Sequence, residues 1–323
     1  MGAGVLAGPV HVPVRAVGEA LLSPPFLPGR AGQDSGQLAI LWSLRFPRVV
    51  LGALVGGMLA TAGAAYQGVF RNPLADPYLL GAAAGAVLGA TLAIAFGGGA
   101  TLGGIGLVPV AAFAGAGAAV AGTYLLGRSL GDHRSPTSLI LAGVAIAAFL
   151  TAVQSYVQQA RSDSFRQVYS WILGRLVTAG WDGIAEVLPY AVVGLAVILA
   201  HRRLLDALAV GEEEVASLGV SPRRVRLVVV VAATLCTAAA VSAAGAIGFI
   251  GIIVPHAVRL LLGTSYRVVL PMSLLLGAAF LVLADTAART LAAPAEVPIG
   301  VITAMVGAPF FLFVMRSTRL RES

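Results

Sequence analysis

Residues 44–85 read LRFPRVVLGALVGGMLATAGAAYQGVFRNPLADPYLLGAAAG, and this stretch decides the fold class. Arg45 and Arg48 flank Pro47 directly before an uncharged run of small and apolar residues that ends at Arg71. A run of that length is long enough to cross a bilayer as a helix. The segment NPLADP at 72–77 then breaks the helix, because each proline disfavours helical backbone at and before its position. The stretch therefore predicts two membrane helices joined by a tight turn.

The composition of the whole chain supports the same class. Of its 323 residues, 58% are hydrophobic and only 11% are charged, and the mean hydropathy is +0.92. Soluble domains carry about 25% charged residues, so this chain has too little polar surface to cover a globule of its size. We expect an all-α polytopic membrane protein with one domain over 1–323. Within it, 1–43 is an outer N-terminal segment and 44–323 is the helical bundle.

The charge pattern excludes several functions. The net charge is +7, every basic side chain is arginine, and these arginines are spread over short loops, which is typical of membrane orientation and not of nucleic-acid binding. The chain has no phosphate-binding GxxxxGK[ST] motif, no HExxH and no GxSxG, and its four histidines are scattered. The single Cys236 lies in an apolar run and excludes an intrachain disulfide. We therefore expect no enzyme active site, no metal site and no cofactor bound by this chain.

Nine apolar segments are candidates for membrane helices. They cover 49–70, 79–96, 107–126, 138–157, 184–200, 225–246, 249–262, 268–283 and 299–315. The seventh is short and carries Pro255, and the glycines before it predict a broken or re-entrant region. Placing thirteen of the 21 basic residues inside predicts a cytoplasmic C-terminus.

The longest predicted inner loop, 202–226, has its own structure. Three glutamates at 212–214 open a short helix, where negative charge suits the helix dipole, and Gly219 fits its C-terminal cap. Ser221 and Pro222 fit the N-cap and first residue of a second helix. Two capped helices favour a binding surface, and a solvated loop that only orients the chain is the alternative.

Small and polar residues inside the segments have two interpretations each. The four-residue spacing of Gly81, Gly85 and Gly89 favours close helix packing over a direct lining role. Gln154 and Gln158 share one helix face, and either line a water-filled path or form hydrogen bonds between helices.

The outer charges also allow two interpretations. Asp285 and Arg289 are four residues apart and can form a local ion pair. Arg45, Arg48 and Arg289 form an outer basic cluster that suits either an acidic partner surface or lipid phosphate.

Eight ordered blocks resemble one known family, the FecCD or BtuC-like permeases of ATP-binding-cassette (ABC) importers for iron-siderophores, haem and cobalamin. The blocks are LRFPR (44–48), QGVFRNPLADPYLLG (67–81), LILAGVAI (139–146), WILGRL (171–176), GEEEVASLGV (211–220), GAIGFIGIIVPHAVRLLLG (245–263), ADTAAR (284–289) and EVPIGVITAMVGAPFFLFVMR (296–316). They occur in the family's order and are distributed from residue 44 to residue 316.

The resemblance implies a helical bundle of ten helices per subunit in the cytoplasmic membrane of a prokaryote. It implies a second permease subunit, with a homodimer expected, and a central path lined by helices that match 138–157 and 299–315. It also implies separate ABC ATPase subunits, which bind ATP and Mg, and an extracytoplasmic substrate-binding protein. Membrane lipid completes the expected surroundings.

The resemblance also assigns roles to individual positions. The gate and path positions that match are Ala84, Pro136 and Thr137, beside the glutamines Gln154 and Gln158. The outer arginines Arg45, Arg48 and Arg289 match the docking site for the binding protein. The ATPase-docking surface matches Gly211, Glu212, Glu213, Glu214, Ala216, Leu218 and Gly219.

Two features depart from the family pattern. The family's first helix has no counterpart, since the match begins at about GPVHVP (8–13), which resembles the segment just outside that helix. In addition, Ala84 occupies a position that is polar in several relatives, so this position does not identify the substrate.

The expected function is a permease that moves a metal chelate inward, with a ferric siderophore as the first candidate and cobalamin or haem as alternatives. An ion-coupled secondary transporter is the rival from another class. It needs acidic residues inside the membrane, and Asp285 at a helix end is the one strong candidate. A membrane subunit with a structural or signalling role is a further rival.

Overall fold

A computed structural model describes residues 4–5, 15, 17–18, 20, 35–129, 136–176, 180–293 and 295–322. These residues are almost entirely helical, apart from loops and a two-stranded antiparallel hairpin. The helices are α1 Ser35–Ile40, α2 Phe46–Phe70, α3 Ala82–Phe96, α4 Leu107–Ser129, α5 Pro136–Ala160, α6 Phe165–Ile172, α7 Trp181–Ala200, α8 Arg202–Val210, α9 Glu212–Ser217, α10 Pro222–Ala244, α11 Ile250–Leu262, α12 Tyr266–Thr290 and α13 Ile299–Glu322. The hairpin strands are β1 Thr101–Leu102 and β2 Ile105–Gly106.

All nine predicted apolar segments are helical. Six helical stretches in the described part of the chain are long and apolar enough to cross a membrane. The other three predicted segments fall on shorter apolar helices, Ala82–Phe96, Ile250–Leu262 and Ile299–Phe313. The chain is therefore an all-α polytopic membrane protein, as the sequence predicts.

The first long helix begins earlier than predicted and runs through Pro47. Residues Leu41–Arg45 form a π-helical turn in which the Phe46 N–H donates to the Leu41 carbonyl. Proline lacks an N–H, and a widened turn beside it lets the chain remain helical. The apolar span consequently extends over Leu38–Phe70, 33 residues, and the boundary predicted at residue 44 lies inside this helix.

In the part of the N-terminal segment before Ser35, the described residues are 4–5, 15, 17–18 and 20, and they are helical. Val5 and Ala20 are buried in a small apolar cluster with Leu41, Val49 and Val282. This part of the predicted outer segment therefore packs against the helical bundle.

Glycine contacts hold the helices close together. α2 packs against α12 at Gly56 and Gly277, where a Cβ on either glycine would collide with the backbone of the other helix. α3 meets α4 in the same way at Gly85 and Gly115, which confirms the packing interpretation of the glycine series. Gly81, however, precedes α3 at a φ of +79°, so it starts the helix and is not part of the helical face.

The 72–77 turn is confirmed and is stabilised by its own side chains. Arg71 ends α2 in the left-handed region, with a φ of 50°. The Asn72 Oδ1 accepts the Leu74 N–H at 2.9 Å, and the Asp76 Oδ1 accepts the Tyr78 N–H at 2.8 Å. Such side-chain acceptors replace helical hydrogen bonds, which is why Asn and Asp favour turns.

The broken region before the seventh segment is also confirmed. α10 ends at Ala244, α11 begins at Ile250, and the residues between them are not helical. Gly245 and Phe249 both have positive φ, of 76° and 70°. Tyr78 supplies a hydrogen bond to this non-helical backbone, since its hydroxyl donates to the Ile247 carbonyl at 2.9 Å.

The first of the two short helices predicted in the 202–226 loop is α9. The second is wrong as a separate short helix, because its residues form the first turn of α10, which continues without a break to Ala244. The loop also contains a further helix. Gly219 ends α9 with a φ of 74°, and Ser221 and Pro222 begin α10, as the sequence predicts. The additional helix is α8, Arg202–Val210, which buries Leu205 and Leu208 against the bundle. The hairpin β1–β2 and the helix α6 are likewise absent from the sequence-based prediction.

Candidate functional site

The bundle has two chemically distinct ends. We call the end with the 202–226 loop and the 72–77 turn the loop end. We call the end with Arg45, Arg48 and Arg289 the arginine end. The predicted site residues fall at these two ends and on the faces of α3 and α5.

The 202–226 loop presents most of its predicted docking residues to solvent. Val215 is fully buried and fastens α9 to the bundle. Gly211 and Glu212 are half-buried, and the remaining predicted positions are exposed: Glu213, Glu214, Ala216, Leu218 and Gly219. One face of α9 is therefore available to a partner.

Two large apolar side chains stand out on this loop. Val210, the last residue of α8, is 79% exposed, and Leu218, which follows α9, is 57% exposed. Both lie outside the apolar spans, where water would surround them in the isolated chain. Exposed apolar residues rimmed by charge are typical of protein–protein contact sites.

The loop is attached to the bundle by hydrogen bonds as well as by burial. The Asp206 carboxylate accepts the Tyr266 N–H at 2.6 Å and the Ser265 hydroxyl at 2.9 Å, which ties α8 to the start of α12. The Arg71 Nε donates to the Leu208 carbonyl at 2.7 Å, which ties α8 to the end of α2. A force on the loop is therefore transmitted to both of these long helices.

Within the loop, an ion pair joins the two predicted helices. The Arg226 guanidinium lies 2.6 Å from the Glu212 carboxylate. The pair connects the first turn of α9 with the second turn of α10. It leaves the other two glutamates of the series free to face outward, where both are exposed.

A buried amide joins the 72–77 turn to the broken region. The Gln67 Nε2 donates to the carbonyls of Ala75 and Gly251, at 3.2 and 3.0 Å. Its Oε1 accepts the Arg259 Nη1 at 2.5 Å. Gln67 thus joins the end of α2 and the 72–77 turn to α11, 184 residues later in the sequence.

The same turn contains a carboxyl group with a perturbed pKa. Burial raises the pKa of Asp76 to about 6, although the hydrogen bond from the Tyr78 N–H acts in the opposite direction. Desolvation disfavours the charged form of a carboxyl group, so it is protonated at a higher pH than in water.

The predicted gate and path positions are only partly described. Ala84 lies in the first turn of α3 and is half-buried. Pro136 and Thr137 begin α5, but their side chains lie outside the described residues. Gln154 and Gln158 are half-buried on α5, and neither amide has a hydrogen-bond partner within the described part of the chain. The interhelical hydrogen bond that the sequence left open is therefore not formed there.

The helices that the resemblance assigns to the path leave broad apolar faces uncovered. Only 11% of the most apolar window of α5 is buried inside the chain, against 89% for the Leu38–Phe70 span. The exposed side chains include Leu141, Phe149 and Tyr156 on α5 and Met305 and Phe313 on α13.

At the arginine end, two of the three predicted docking arginines are buried. Arg45 is 6% exposed, and its Nη1 donates to the Val5 carbonyl at 2.7 Å. Arg289 is 4% exposed, and its Nη2 donates to the Gly4 carbonyl at 2.9 Å. These guanidinium groups hold the N-terminal residues against the bundle.

The third arginine connects two carboxylates. Arg48 lies 2.8 Å from Asp285 and forms a two-pronged contact with Glu296, with both distances 2.9 Å. Asp285 also pairs with Arg289 at 2.9 Å, which confirms the predicted i,i+4 contact. That pair is buried, so it differs from the weak surface bridge that the sequence suggested. Hydrogen bonds from Arg48 hold the pKa of Glu296 below its usual range.

Several residues at these sites escaped the sequence analysis. They are Gln67, Tyr78, Asp206 and Glu296. A polar side chain in an apolar run was a usable signal for Gln67, since such groups are costly in membranes unless paired. Asp206 and Glu296 carry no such signal, because acids in loops are ordinary. Within the described residues, no group of three or more His, Cys, Asp or Glu side chains could hold a metal ion.

Comparison with known proteins gives a consistent result. The model of the FecCD transport family matches residues 2–317 of the chain. The cobalamin import system permease protein BtuC of Halobacterium salinarum is 45% identical over 284 residues, which cover 87% of this chain and 74% of that protein. The iron(3+)-hydroxamate import system permease protein FhuB of Bacillus subtilis is 38% identical over 280 residues, with coverages of 87% and 72%.

A solved structure agrees with the fold. It shows a metal-chelate type ABC transporter in an inward-facing conformation, and it superposes with a TM-score of 0.81 at 29% identity. The match covers 93% of this chain and 96% of the other. The packing of α2 to α13 is therefore shared with a transporter of that type.

Proposed function

Because the chain belongs to the FecCD transport family, it is a permease of the ABC importers for metal chelates, and we propose how its parts serve that function. In this proposal the arginine end faces outward and receives the substrate-binding protein. The loop end and the C-terminus face the cytoplasm, where separate ABC ATPase subunits bind. The chain itself carries out no covalent chemistry.

The 202–226 loop is the observation that carries the proposal. It presents two exposed apolar side chains on a platform that Asp206 and Arg71 tie to long helices. An ATPase subunit docked on Gly211, Glu212, Glu213, Glu214, Ala216, Leu218 and Gly219 would therefore move the ends of α2 and α12 directly. This is how ATP hydrolysis in one subunit can open a path in another.

The path lies between two permease subunits in this proposal. The uncovered apolar faces of α5 and α13 belong to the helices that the resemblance assigns to the path, so a second copy of the chain covers them in a homodimer, whereas lipid covers other outer faces. Gln154 and Gln158 then line the path, beside the gate positions Ala84, Pro136 and Thr137. The mostly apolar lining binds weakly, so a large chelate is released and not retained.

Two substrates are the main candidates. A ferric siderophore is the first candidate, and the similarity to an iron-hydroxamate permease supports it. Cobalamin is the second candidate, because the identity to a cobalamin permease is higher, at 45% against 38%. Haem remains the third alternative. All three are metal chelates too large for a narrow channel.

The docking of the ATPase is tested by one substitution. Leu218→Asp places a charge on the exposed apolar surface of the loop without removing a buried contact. We expect at least about a tenfold loss of the ATPase subunit that co-purifies with the permease, because a buried charge without a partner is costly at an interface.

A matched control separates docking from folding. Leu102→Asp changes an equally exposed leucine on the β1–β2 hairpin, at 61% exposure against 57%. It should leave both the recovery of the ATPase and the melting temperature of the permease unchanged. Full ATPase recovery with Leu218→Asp would contradict the assignment of this loop.

A further inference from the structure

The fork of the Arg48 guanidinium is occupied in this structure by a carboxylate of the same chain. Both Nη atoms contact the two oxygens of Glu296, at 2.9 Å each. The Nε and Nη2 atoms also reach Asp285 Oδ1, at 3.0 and 2.8 Å. A two-pronged contact of this kind fills the face of the guanidinium that carboxylates prefer.

The two carboxylates differ sharply in their surroundings. The side chain of Asp285 is 2% exposed and also pairs with Arg289, whereas the side chain of Glu296 is 43% exposed. Removing one partner from a buried pair is strongly unfavourable, because the remaining charge has no solvent. A pair on the surface contributes little net stability, since water replaces the partner. Asp285 is thus the permanent partner of Arg48, and Glu296 is the exchangeable one.

We infer that Glu296 occupies the docking position on Arg48 before the substrate-binding protein arrives, and that an acidic side chain of that protein displaces Glu296 during docking. The inference rests on the proposed function, in which the arginine end receives that protein. The incoming group has the same chemistry as the group it displaces. Of the three outer arginines, Arg48 is the one that accepts a carboxylate from outside, because Arg45 and Arg289 are buried against Gly4 and Val5.

The exchange has a structural consequence for the path. Glu296 stands three residues before Ile299, where α13 begins. This start is held by hydrogen bonds from Ile299 N to the Gly174 carbonyl and from Gly300 N to the Leu173 carbonyl, at 3.3 and 3.0 Å. Displacing Glu296 removes one of the contacts that hold the chain just before these bonds, and the hydrogen bond from Val297 N to the Ala288 carbonyl, at 3.0 Å, remains. Docking at the arginine end therefore changes the contacts just before the first turn of α13, the helix that the proposal places along the path.

The test measures the affinity of the assembled transporter, in nanodiscs, for the substrate-binding protein that supports its uptake. Glu296→Gln removes the competing charge and keeps the shape of the side chain, and Glu296→Ala removes the competitor altogether. We expect both variants to bind about two- to fivefold more tightly than the wild type, as the loss of a surface pair implies. Arg48→Ala should weaken binding by more than about tenfold, since it removes the anchor.

Glu186→Gln is the matched control. Glu186 lies on α7 near the arginine end, is half-buried, and has no partner within the described part of the chain. Glu186→Gln removes the same charge without affecting Arg48. The transporter that carries it should therefore bind the substrate-binding protein as tightly as the wild type does. Equal tightening by Glu186→Gln and Glu296→Gln would reveal a general charge effect and overturn the exchange.

The remaining outcomes separate the inference from the proposed function. If Arg48→Ala weakens binding while neither Glu296 variant tightens it, docking at the arginine end stands and the exchange is wrong. If Arg48→Ala leaves the affinity unchanged, the docking assignment itself is wrong. Melting temperatures of all variants exclude unfolding as the cause of a change.

Discussion

Gln67 shows how one residue organises the loop end. Its amide donates to Ala75 in the 72–77 turn and to Gly251 at the start of α11, and it accepts from Arg259. The two carbonyls are buried, where water is a poor substitute partner, and Arg259 is half-buried. Buried polar groups that lose a partner bear the full cost of desolvation. Gln67 therefore fixes the turn against α11, while Asn72 and Asp76 stabilise it from within.

Gln67→Leu should destabilise the protein markedly. The leucine fills a similar volume but leaves two carbonyls and one guanidinium without their partner. We expect a loss of about 3 kcal/mol or more, seen as a clear drop in the melting temperature of the purified permease.

The control at the residue scale is Gln158→Leu. Gln158 is half-buried on α5 and has no hydrogen-bond partner within the described residues. Its replacement should leave the melting temperature almost unchanged. Equal melting temperatures for the wild type and Gln67→Leu would show that the amide hydrogen bonds contribute no stability.

At the scale of the element, α3 and α4 pack through their backbones. A Cβ at Gly85 would collide with the Gly115 carbonyl oxygen and with Ala119. The contacted atoms of Gly115 and Ala119 both lie on the packed helix α4, so neither can move away without a cost in free energy. Helix pairs in membranes favour such small residues because apolar side chains gain nothing by leaving lipid.

Gly85→Val should therefore separate α3 from α4. Overpacking typically costs about 1–3 kcal/mol, and backbone contacts place this site at the upper limit. Gly117→Val, on the same helix as Gly115, meets nothing within 4 Å and serves as the control. Thermal melting of both variants checks this prediction, and an unchanged Gly85→Val protein would contradict the packing.

The elements were largely predictable from sequence because their signals are local. Nine apolar runs, the NPLADP turn, the glycine-rich break and the capped helix α9 each depend on residues within a few positions of one another. The π-helical turn was not predictable, because proline favours the first turn of a helix and Pro47 therefore indicated a helix start. α8 was missed because Leu205 and Leu208 become buried only when α2 and α12 are in place.

The candidate site was predictable only in part for a related reason. The exposed docking residues could be predicted from the residue types within one loop. Contacts such as that of Arg48 with Glu296 join positions about 250 residues apart. Partners at such separations are set by the packing of whole helices. The sequence therefore indicated only the local pair of Asp285 with Arg289, whereas the structure extends this pair through Arg48 to Glu296.

At the scale of the whole molecule, the assignment of α5 and α13 to the path predicts that a second copy of the chain covers their exposed faces. Single cysteines at Phe149 or Met305, in a Cys236→Ala background, should form cross-linked dimers in membranes. Both positions are well exposed in the isolated chain, at 65% and 69%. Val193 on α7 is also exposed but should face lipid, so a cysteine there should not cross-link. The reverse pattern would assign the interface to α7.

In the proposed function ATP hydrolysis, and not an ion gradient, drives transport. The permease, its ATPase subunit and the binding protein are reconstituted in proteoliposomes, and uptake of a labelled ferric siderophore and of labelled cobalamin is measured. We predict that one of these chelates accumulates only with ATP. Its uptake should continue when ion gradients are collapsed, and Leu218→Asp should abolish it. Uptake driven by a proton or sodium gradient without ATP would contradict it, and would identify an ion-coupled transporter.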